Sequence, residues 1–161
     1  MIAAPPDICF RTEPLTDALW DELMPLMAAH CAEVGPFRDL PFNPNKPAYE
    51  RMWRAGALAI FTVRDGERLI GYAAFFVSPS LHHFPAIFAQ ADVLYVAPDE
   101  RYNFIGLGLM RWVEVTLRVD WRVDRVCMGS KSVTNKSIAP LLSRLDYAEV
   151  DSVWWKELTN G

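Results

Sequence analysis

The sequence predicts one α/β domain built on a mixed sheet, because short apolar runs of strand length alternate with segments whose apolar residues repeat at helical spacing. Two of these runs flank the pair Asp65-Gly66, which is a strong signal for an antiparallel hairpin. The 161 residues, of which 52% are hydrophobic, suffice for one buried core. We therefore expect a single domain over residues 1–161, with a sheet of about six to seven strands flanked by about four helices.

The first third of the chain predicts a strand, two helices and a loop. Residues 8–11 have the composition of a short strand, and Thr16 is a suitable N-cap for the helix that follows. Pro25 lies within that helix and predicts a kink or a break. Four prolines between residues 35 and 47 indicate a loop, and residues 48–55 are predicted to form a second, short helix.

The rest of the chain alternates strands and helices. A hairpin with strands at 57–63 and 69–77 leads to a loop at 78–85 and a strand at 87–96, which Pro98 ends because proline cannot donate to the ladder. The elements predicted after it are a helix at 105–119, a strand at 125–128, a helix at 136–145, and strands at 147–150 and 152–158.

Charge and cysteine content limit the classes of partner. The formal net charge of -4 argues against nonspecific binding to DNA or RNA, which requires a basic surface. No two of the three cysteines have metal-ligand or redox spacing, so we expect free thiols in a reducing cytoplasm and no metal site. The N-terminus lacks the pattern of a signal peptide, and no apolar stretch is long enough to span a bilayer. We therefore expect a cytoplasmic protein with no membrane contact.

The segment from Val96 to Gly108 has the features of an anion site. A strand ends at a proline turn, and a helix with glycines in its first turn follows. Free N–H groups at a helix N-terminus point toward bound anions, and glycine lets a phosphate approach the backbone closely. Arg101 precedes the helix and can pair with a phosphate oxygen. An ordinary strand–turn–helix junction with a surface arginine has the same local pattern.

The spacing within this segment resembles that of the GNAT family of N-acetyltransferases. In that family a Val-x-Pro turn is followed by Arg/Gln-x-x-Gly-x-Gly/Ala, and here Val96-Ala97-Pro98 is followed by Arg101, Phe104 and Gly106. Phe104 stands where the family has its first glycine, and in this the chain resembles phage and prophage members. A second register, Asn103-x-x-Gly106-x-Gly108, keeps both glycines but loses the leading Arg/Gln. The distance from proline to arginine favours the first register.

Residues on either side of this segment extend the resemblance over nearly the whole chain. Downstream, Asn135 and Tyr147 match family positions, whereas Leu142 replaces a frequent general-acid tyrosine. Upstream, the phage-type members have a His–Glu pair in the first helix, a histidine-containing loop, and an aspartate in the strand before the turn. The matching residues here are His30 and Glu33, His82-His83, and Asp92.

The resemblance implies acetyl-CoA as the cofactor, held where the strand ends and the helix begins. Backbone groups of the strand would bind the pantetheine arm, and amides of residues 102–107 would bind the pyrophosphate. Asn135 would lie near the pantetheine or the thioester. The implied cofactor residues are Leu94, Tyr95, Val96, Arg101, Tyr102, Asn103, Phe104, Ile105, Gly106, Leu107 and Asn135.

Three residues are candidates for acid–base catalysis. Asp92 is the first candidate for the base, because strand alternation puts it on the same side as Leu94 and Val96 and leaves it half-buried; a structural pairing is the alternative. Glu33 is the second, at a helix end beside the loop that should cover the acceptor site, where a solvated carboxylate would also fit. His83 is the third, although a loop histidine more often has neither a catalytic nor a binding role.

These residues imply direct transfer of an acetyl group from acetyl-CoA to an amine acceptor, which is either a small molecule or a lysine or N-terminus of a protein. The alternative is a catalytically degenerate module that binds CoA or a protein partner, because Phe104 and Leu142 depart from the family pattern. Use of a longer acyl-CoA is a third hypothesis. GNAT proteins are often dimers, so the resemblance is compatible with a homodimer. The sequence contains no recognisable code for the acceptor.

Overall fold

The computed structural model describes residues 7–35, 39–102, 104–130, 137–151, 153 and 155–156, which form five strands and four helices. The strands are β1 (Ile8–Thr12), β2 (Leu58–Asp65), β3 (Arg68–Pro79), β4 (Ile87–Val96) and β5 (Arg125–Cys127). The helices are α1 (Asp17–Val34), α2 (Lys46–Arg54), α3 (Ile105–Val119) and α4 (Ala139–Arg144). The succession predicted as far as the fourth helix is confirmed.

The five strands form one mixed sheet in the order β1-β2-β3-β4-β5. β1 to β4 are antiparallel to their neighbours, and β5 runs parallel to β4. The Asp65-Gly66 turn joins β2 to β3, and Gly66 has φ 60°, which glycine adopts without strain. The predicted α/β class with a mixed sheet and four helices is confirmed. The prediction of six to seven strands is wrong, since the described residues form five.

The strands predicted at 147–150 and 152–158 account for the difference. Residues 147–151 belong to no helix or strand, and residues 152, 154 and 157–161 lie outside the described part of the chain. The apolar pattern that predicted these strands is not matched by burial, because Val150, Val153 and Trp155 are exposed. An apolar alternation stabilises a strand only where a neighbouring strand and a core receive its side chains.

Apolar residues cover both faces of the sheet. On one face, called the α3 face below, α3 packs through buried residues such as Leu109 and Val113. On the other, called the α1 face, α1 packs through residues such as Leu23 and Met27, and α2 lies beside it. β4 contributes side chains to both cores, so one of its faces packs against α3 and the other packs against α1.

Helix α1 runs without interruption through Pro25, so the prediction of a break there is wrong. The Thr16 hydroxyl caps the helix by accepting from the Leu19 amide at 3.1 Å. Pro25 is exposed, whereas Leu19, Leu23 and Met27 are buried. Packing of that buried stripe holds the helix together where proline removes one backbone donor.

No described helix is long and apolar enough to cross a membrane. In the same part of the chain, no group of three or more histidine, cysteine, aspartate or glutamate side chains could hold a metal ion.

Candidate functional site

The turn between β4 and α3 has an unusual backbone at Phe104. Residues Pro98–Glu100 form a single 3-10 turn after β4, and α3 begins at Ile105. Phe104 has φ 59° and ψ 29°, in the left-handed region that favours glycine. The resembled family has glycine at this position, so the backbone conformation suits the family pattern although the residue differs. The Phe104 side chain is 72% exposed and contributes little to the core.

The first turn of α3 contains backbone donors for which the described residues supply no acceptor. No side chain caps the helix, and among the described residues the Gly106 and Leu107 amides have no hydrogen-bond acceptor. A Cβ atom on Gly106 would meet nothing within 4 Å, so the space beside it is open. A Cβ atom on Gly108 would lie 2.9 Å from Cζ of Phe10, so that glycine serves the packing of α3 on β1. Of the two glycines, Gly106 is the one suited to an approaching anion.

The remaining residues predicted for the turn have other contacts or lie outside the described chain. Ile105 is buried, and its amide donates to the Tyr102 carbonyl at 3.2 Å. The Tyr102 side chain is exposed. Asn103 and Asn135 lie outside the described residues, so their roles stay predictions.

β5 pairs with β4 only near the start of β4. The parallel pairs are Phe88–Arg125, Ala89–Val126 and Gln90–Cys127, and no described strand pairs with β4 beyond them on this side. The Ala97 amide donates to the Ile70 carbonyl at 2.8 Å, so alternation turns the backbone groups of Leu94 and Val96 toward the open edge and those of Tyr95 toward β3. This edge offers the backbone groups of Leu94 and the amide of Val96 to an extended ligand, whereas the Val96 carbonyl accepts from Arg101.

Arg101 connects the open edge of β4 to the end of α1. Its Nη1 and Nη2 atoms donate to the two carboxylate oxygens of Glu33 at 2.7 and 2.8 Å, and its Nε donates to the Val96 carbonyl at 2.8 Å. The guanidinium also lies 5.3 Å from the centre of the Tyr95 ring. The hydrogen bonds to Glu33 raise the pKa of Arg101, against the effect of burial. Arg101 thus links the end of α1 to the end of β4. Its pairing with a phosphate oxygen stays a prediction.

Asp92 occupies a β-bulge in β4. The bulge reverses the alternation of side chains, so Asp92 contacts Tyr49 beside the α1 face while Leu94 and Val96 pack on the α3 face. The expected placement of Asp92 on the side of Leu94 and Val96 is therefore wrong, and its side chain is exposed rather than half-buried. The flanking strand pairs are Ala74–Val93 and Phe75–Ala91, which leave Asp92 as the extra residue.

Two tyrosines that the sequence did not assign to the site surround this carboxylate. The Tyr49 hydroxyl donates to Oδ2 of Asp92 at 2.9 Å, and burial together with the Asp92 charge raises the pKa of Tyr49 and keeps it a donor. The Tyr72 hydroxyl is buried without a hydrogen-bond partner in the described residues, and burial raises its pKa. No local sequence pattern marks either tyrosine as part of the site, because the contact between α2 and the bulge is tertiary.

Asp92, Tyr49 and Tyr72 line an open cleft of about 330 Å³ on the α1 face. The cleft lies between α1, α2, β4 and residues 39–45 of the proline-rich loop, and a volume of this order is typical of small-molecule sites. Its apolar wall consists of Met27, Leu40, Pro41, Phe42, Pro44 and Val93. Glu33 is absent from the described lining and is instead bound by Arg101.

His83 lies apart from these residues. It belongs to the loop that joins β3 to β4, at the opposite end of β4 from the turn, and a ten-residue strand spans about 30 Å. The residue is exposed; its amide donates to the Ser80 hydroxyl at 3.1 Å, and its ring lies 6.4 Å from that of Phe88. The structure does not bring His83 together with Asp92 or Glu33.

Neither a family model nor a curated protein matches the chain, but solved structures do. An aminoglycoside acetyltransferase from an uncultured soil metagenomic sample matches with a TM-score of 0.73 and 13% identity, over 94% of this chain and 97% of that one. A ribosomal-protein-alanine N-acetyltransferase from Brucella melitensis biovar Abortus 2308 matches with a TM-score of 0.72 and 18% identity, over 94% and 99%. The chain has the fold of these acetyltransferases.

A third structure with the acetyltransferase fold contains acetyl-CoA. It is a predicted acetyltransferase from Clostridium acetobutylicum, with a TM-score of 0.67 and 14% identity, over 94% of this chain and 96% of that one. These identities are low, so the three structures support the fold and leave the acceptor open. The resemblance to phage-type members receives no support from them.

Proposed function

We propose that the chain is an N-acetyltransferase that transfers the acetyl group of acetyl-CoA directly to an amine. The uncapped start of α3 beside the open edge of β4, on an acetyltransferase fold, is the observation that carries the proposal. The Gly106 and Leu107 amides suit the pyrophosphate, since a helix N-terminus stabilises an anion. The outward backbone groups of Leu94 and the outward amide of Val96 suit the pantetheine arm. The similar structure that contains acetyl-CoA supports the same ligand here.

The other predicted cofactor residues contribute through their position. Tyr102 and Phe104 set the course of the turn, and Ile105 anchors α3 in the core. Tyr95 packs under the guanidinium of Arg101, which fixes the end of β4. Asn103 and Asn135 remain in the proposal on the resemblance alone.

Asp92 is the proposed base. The amine nitrogen forms a bond to the thioester carbonyl carbon, the C–S bond breaks, and the proton lost by the amine passes to Asp92 directly or through a water. The CoA thiolate takes a proton from solvent, because Leu142 offers none. Glu33 is a weaker candidate, since Arg101 holds both of its oxygens, and His83 lies at the other end of β4.

The acceptors of the similar structures differ, since one acts on aminoglycosides and another on a ribosomal-protein alanine, so the proposal is restricted to an amine. A cytoplasmic location, a phage-type subclass and a homodimer remain predictions from the sequence. A module that binds CoA without transfer is the second candidate function, and Leu142 in place of a general-acid tyrosine is the feature that favours it.

Isothermal titration with acetyl-CoA, followed by an assay of CoA thiol release across a panel of amines, tests the proposal. We expect saturable binding in the range of enzyme KM values, about 1 μM to 1 mM, and release that depends on the amine. Absence of binding at millimolar acetyl-CoA would contradict the proposal. Binding without release from any amine would favour the module.

A further inference from the structure

We infer that the cleft on the α1 face binds a primary amine with one positive charge and an apolar body, and that this amine is the acetyl acceptor. The acceptor role rests on the proposed function, whereas the binding site rests on the geometry of the cleft. Three features carry the inference: one carboxylate, an apolar wall, and a buried hydroxyl in the lining that has no partner among the described residues.

Asp92 is the one acidic side chain among the described residues that line the cleft, and none of them is a lysine or an arginine. Its carboxylate is exposed and accepts one hydrogen bond from Tyr49, which leaves acceptor capacity for an ammonium group. The charge of Glu33 at the end of α1 is already matched by Arg101. One carboxylate matches one ammonium, and the other polar side chains of the described lining, such as His30 and Asn43, supply no second negative charge for a further cation.

The apolar wall of the cleft contains large side chains that are exposed to solvent. Leu40 and Phe42 are 62% and 41% exposed, although both line a concave surface. Met27 and Val93 belong to the same lining. Large apolar side chains beside a cleft are stabilised when an apolar ligand removes them from water. An aromatic or aliphatic body of the amine fits this part of the cleft.

The polar corner of the cleft determines the orientation of the amine. The Tyr72 hydroxyl is buried there without a partner in the described part of the chain, and both Tyr72 and Asp92 line the cleft beside Tyr49. Buried hydroxyls are nearly always hydrogen-bonded, so a polar ligand group or a water that it holds belongs at this corner. The nitrogen therefore lies beside Asp92, and the apolar body extends toward residues 40–42.

The same corner lies where β4 separates from β5. Their pairing ends at Gln90, and Asp92 follows two residues later in the bulge. A nitrogen held at Asp92 is next to the strand edge assigned above to the pantetheine arm. The bound ammonium first loses one proton through Asp92 to solvent. The free amine then forms the N–C bond as the C–S bond of acetyl-CoA breaks, and nitrogen loses a second proton, which balances the proton that the departing thiolate takes from solvent.

Isothermal titration at about 0.15 M salt with three probes tests the binding site. We expect 2-phenylethylamine to bind at least about tenfold more tightly than 2-phenylethanol, which has the same apolar body without the charge. We also expect spermidine, with several charges and no aromatic body, to bind at least about tenfold more weakly. Equal affinities of the amine and the alcohol, or tighter binding of spermidine, would overturn the inference.

Variants separate the charge from the apolar wall. Asp92→Asn should weaken 2-phenylethylamine at least about tenfold and leave 2-phenylethanol unchanged, whereas Phe42→Ala should weaken both by similar factors. Asp120→Asn makes the same change at the exposed end of α3 and should alter neither affinity. An Asp92→Asn protein that binds the amine as tightly as the wild type would overturn the inference.

A titration with acetyl-CoA on the same samples distinguishes this inference from the proposed function. Acetyl-CoA binding with acetylation of spermidine in preference to 2-phenylethylamine would overturn the inference and leave the proposed function standing. Binding of 2-phenylethylamine as expected, without any binding of acetyl-CoA, would contradict the proposed function and support the cleft as an amine site.

Discussion

The turn between β4 and α3 and the cleft on the α1 face adjoin the same strand, β4, but they are built in different ways. The turn is one continuous segment, residues 96–108, and it offers mainly backbone donors. The cleft is assembled from α1, α2, β3, β4 and the loop segment 39–45, and it offers side chains. A continuous site can be recognised from residue spacing, whereas an assembled site requires the fold.

The comparison also separates the two candidate carboxylates. Asp92 is exposed in the cleft and accepts one hydrogen bond from a neutral tyrosine, so its carboxylate is accessible to a ligand. Glu33, at the end of α1, is bound by both Nη atoms of Arg101 and stabilises the turn by holding that arginine in place. The variants below should therefore divide into those that change transfer and those that change cofactor affinity.

The largest expected effect is that of Asp92→Asn on transfer. Loss of the base should lower kcat by a factor of about 10² to 10⁴, while the Kd for acetyl-CoA stays the same because the turn is untouched. Steady-state kinetics and isothermal titration measure the two quantities, with Asp120→Asn as the matched control. A loss of acetyl-CoA affinity with an unchanged kcat would reverse the assignment of Asp92.

The next largest effect is that of Gly106→Val on acetyl-CoA binding. The added side chain enters open space, so the protein should fold, but it blocks the Gly106 and Leu107 amides. Loss of two hydrogen bonds to a charged group predicts a Kd raised about a hundredfold or more, measured by titration.

Gly108→Ala is the control for that variant. Its Cβ meets Phe10 at 2.9 Å, and crowding that costs about 1–3 kcal/mol is partly offset by the helix propensity of alanine. We expect a lower unfolding free energy and an unchanged Kd. A larger loss of affinity from Gly108→Ala than from Gly106→Val would favour the second glycine register.

A smaller effect is expected when the contact between Arg101 and Glu33 is broken. Arg101→Lys and Glu33→Gln each break the bidentate contact, and each should weaken acetyl-CoA by about 3- to 10-fold. Because both changes remove the same contact, the double variant should be no weaker than either single variant. Tighter binding by Glu33→Gln would instead mean that Arg101, once released, pairs with a phosphate.

The smallest effect is that of Phe104→Gly. The left-handed backbone at φ 59° is strained for phenylalanine, and little buried area is lost because the side chain is exposed. Glycine relieves the backbone strain, but it also increases the conformational entropy of the unfolded chain, which offsets part of the gain. The net effect should raise the unfolding free energy by about 0.5–1 kcal/mol. Chemical denaturation measures it, and a loss of stability would show that the exposed ring contributes to the fold.

The sequence predicted the parts of the protein that local patterns determine. The Asp65-Gly66 pair predicted the hairpin of β2 and β3, and the spacing from Val96 to Gly108 predicted a turn followed by a helix, in which the Gly106 and Leu107 amides have no acceptor among the described residues. The side of β4 on which Asp92 lies could not be predicted, because one bulged residue shifts the alternation and leaves no local pattern. The contact of Tyr49 with Asp92 joins residues 43 positions apart and depends on how α2 packs.

The most direct test of the proposed acetyl-CoA site is an amide-resolved NMR titration of the ¹⁵N-labelled protein with acetyl-CoA. The Gly106 and Leu107 amide signals should shift in a saturable manner, together with those of Leu94 and Val96. The signal of the Asp120 amide, about 20 Å away along α3, should not shift. Unchanged Gly106 and Leu107 signals at saturating acetyl-CoA would show that the pyrophosphate does not bind at this turn.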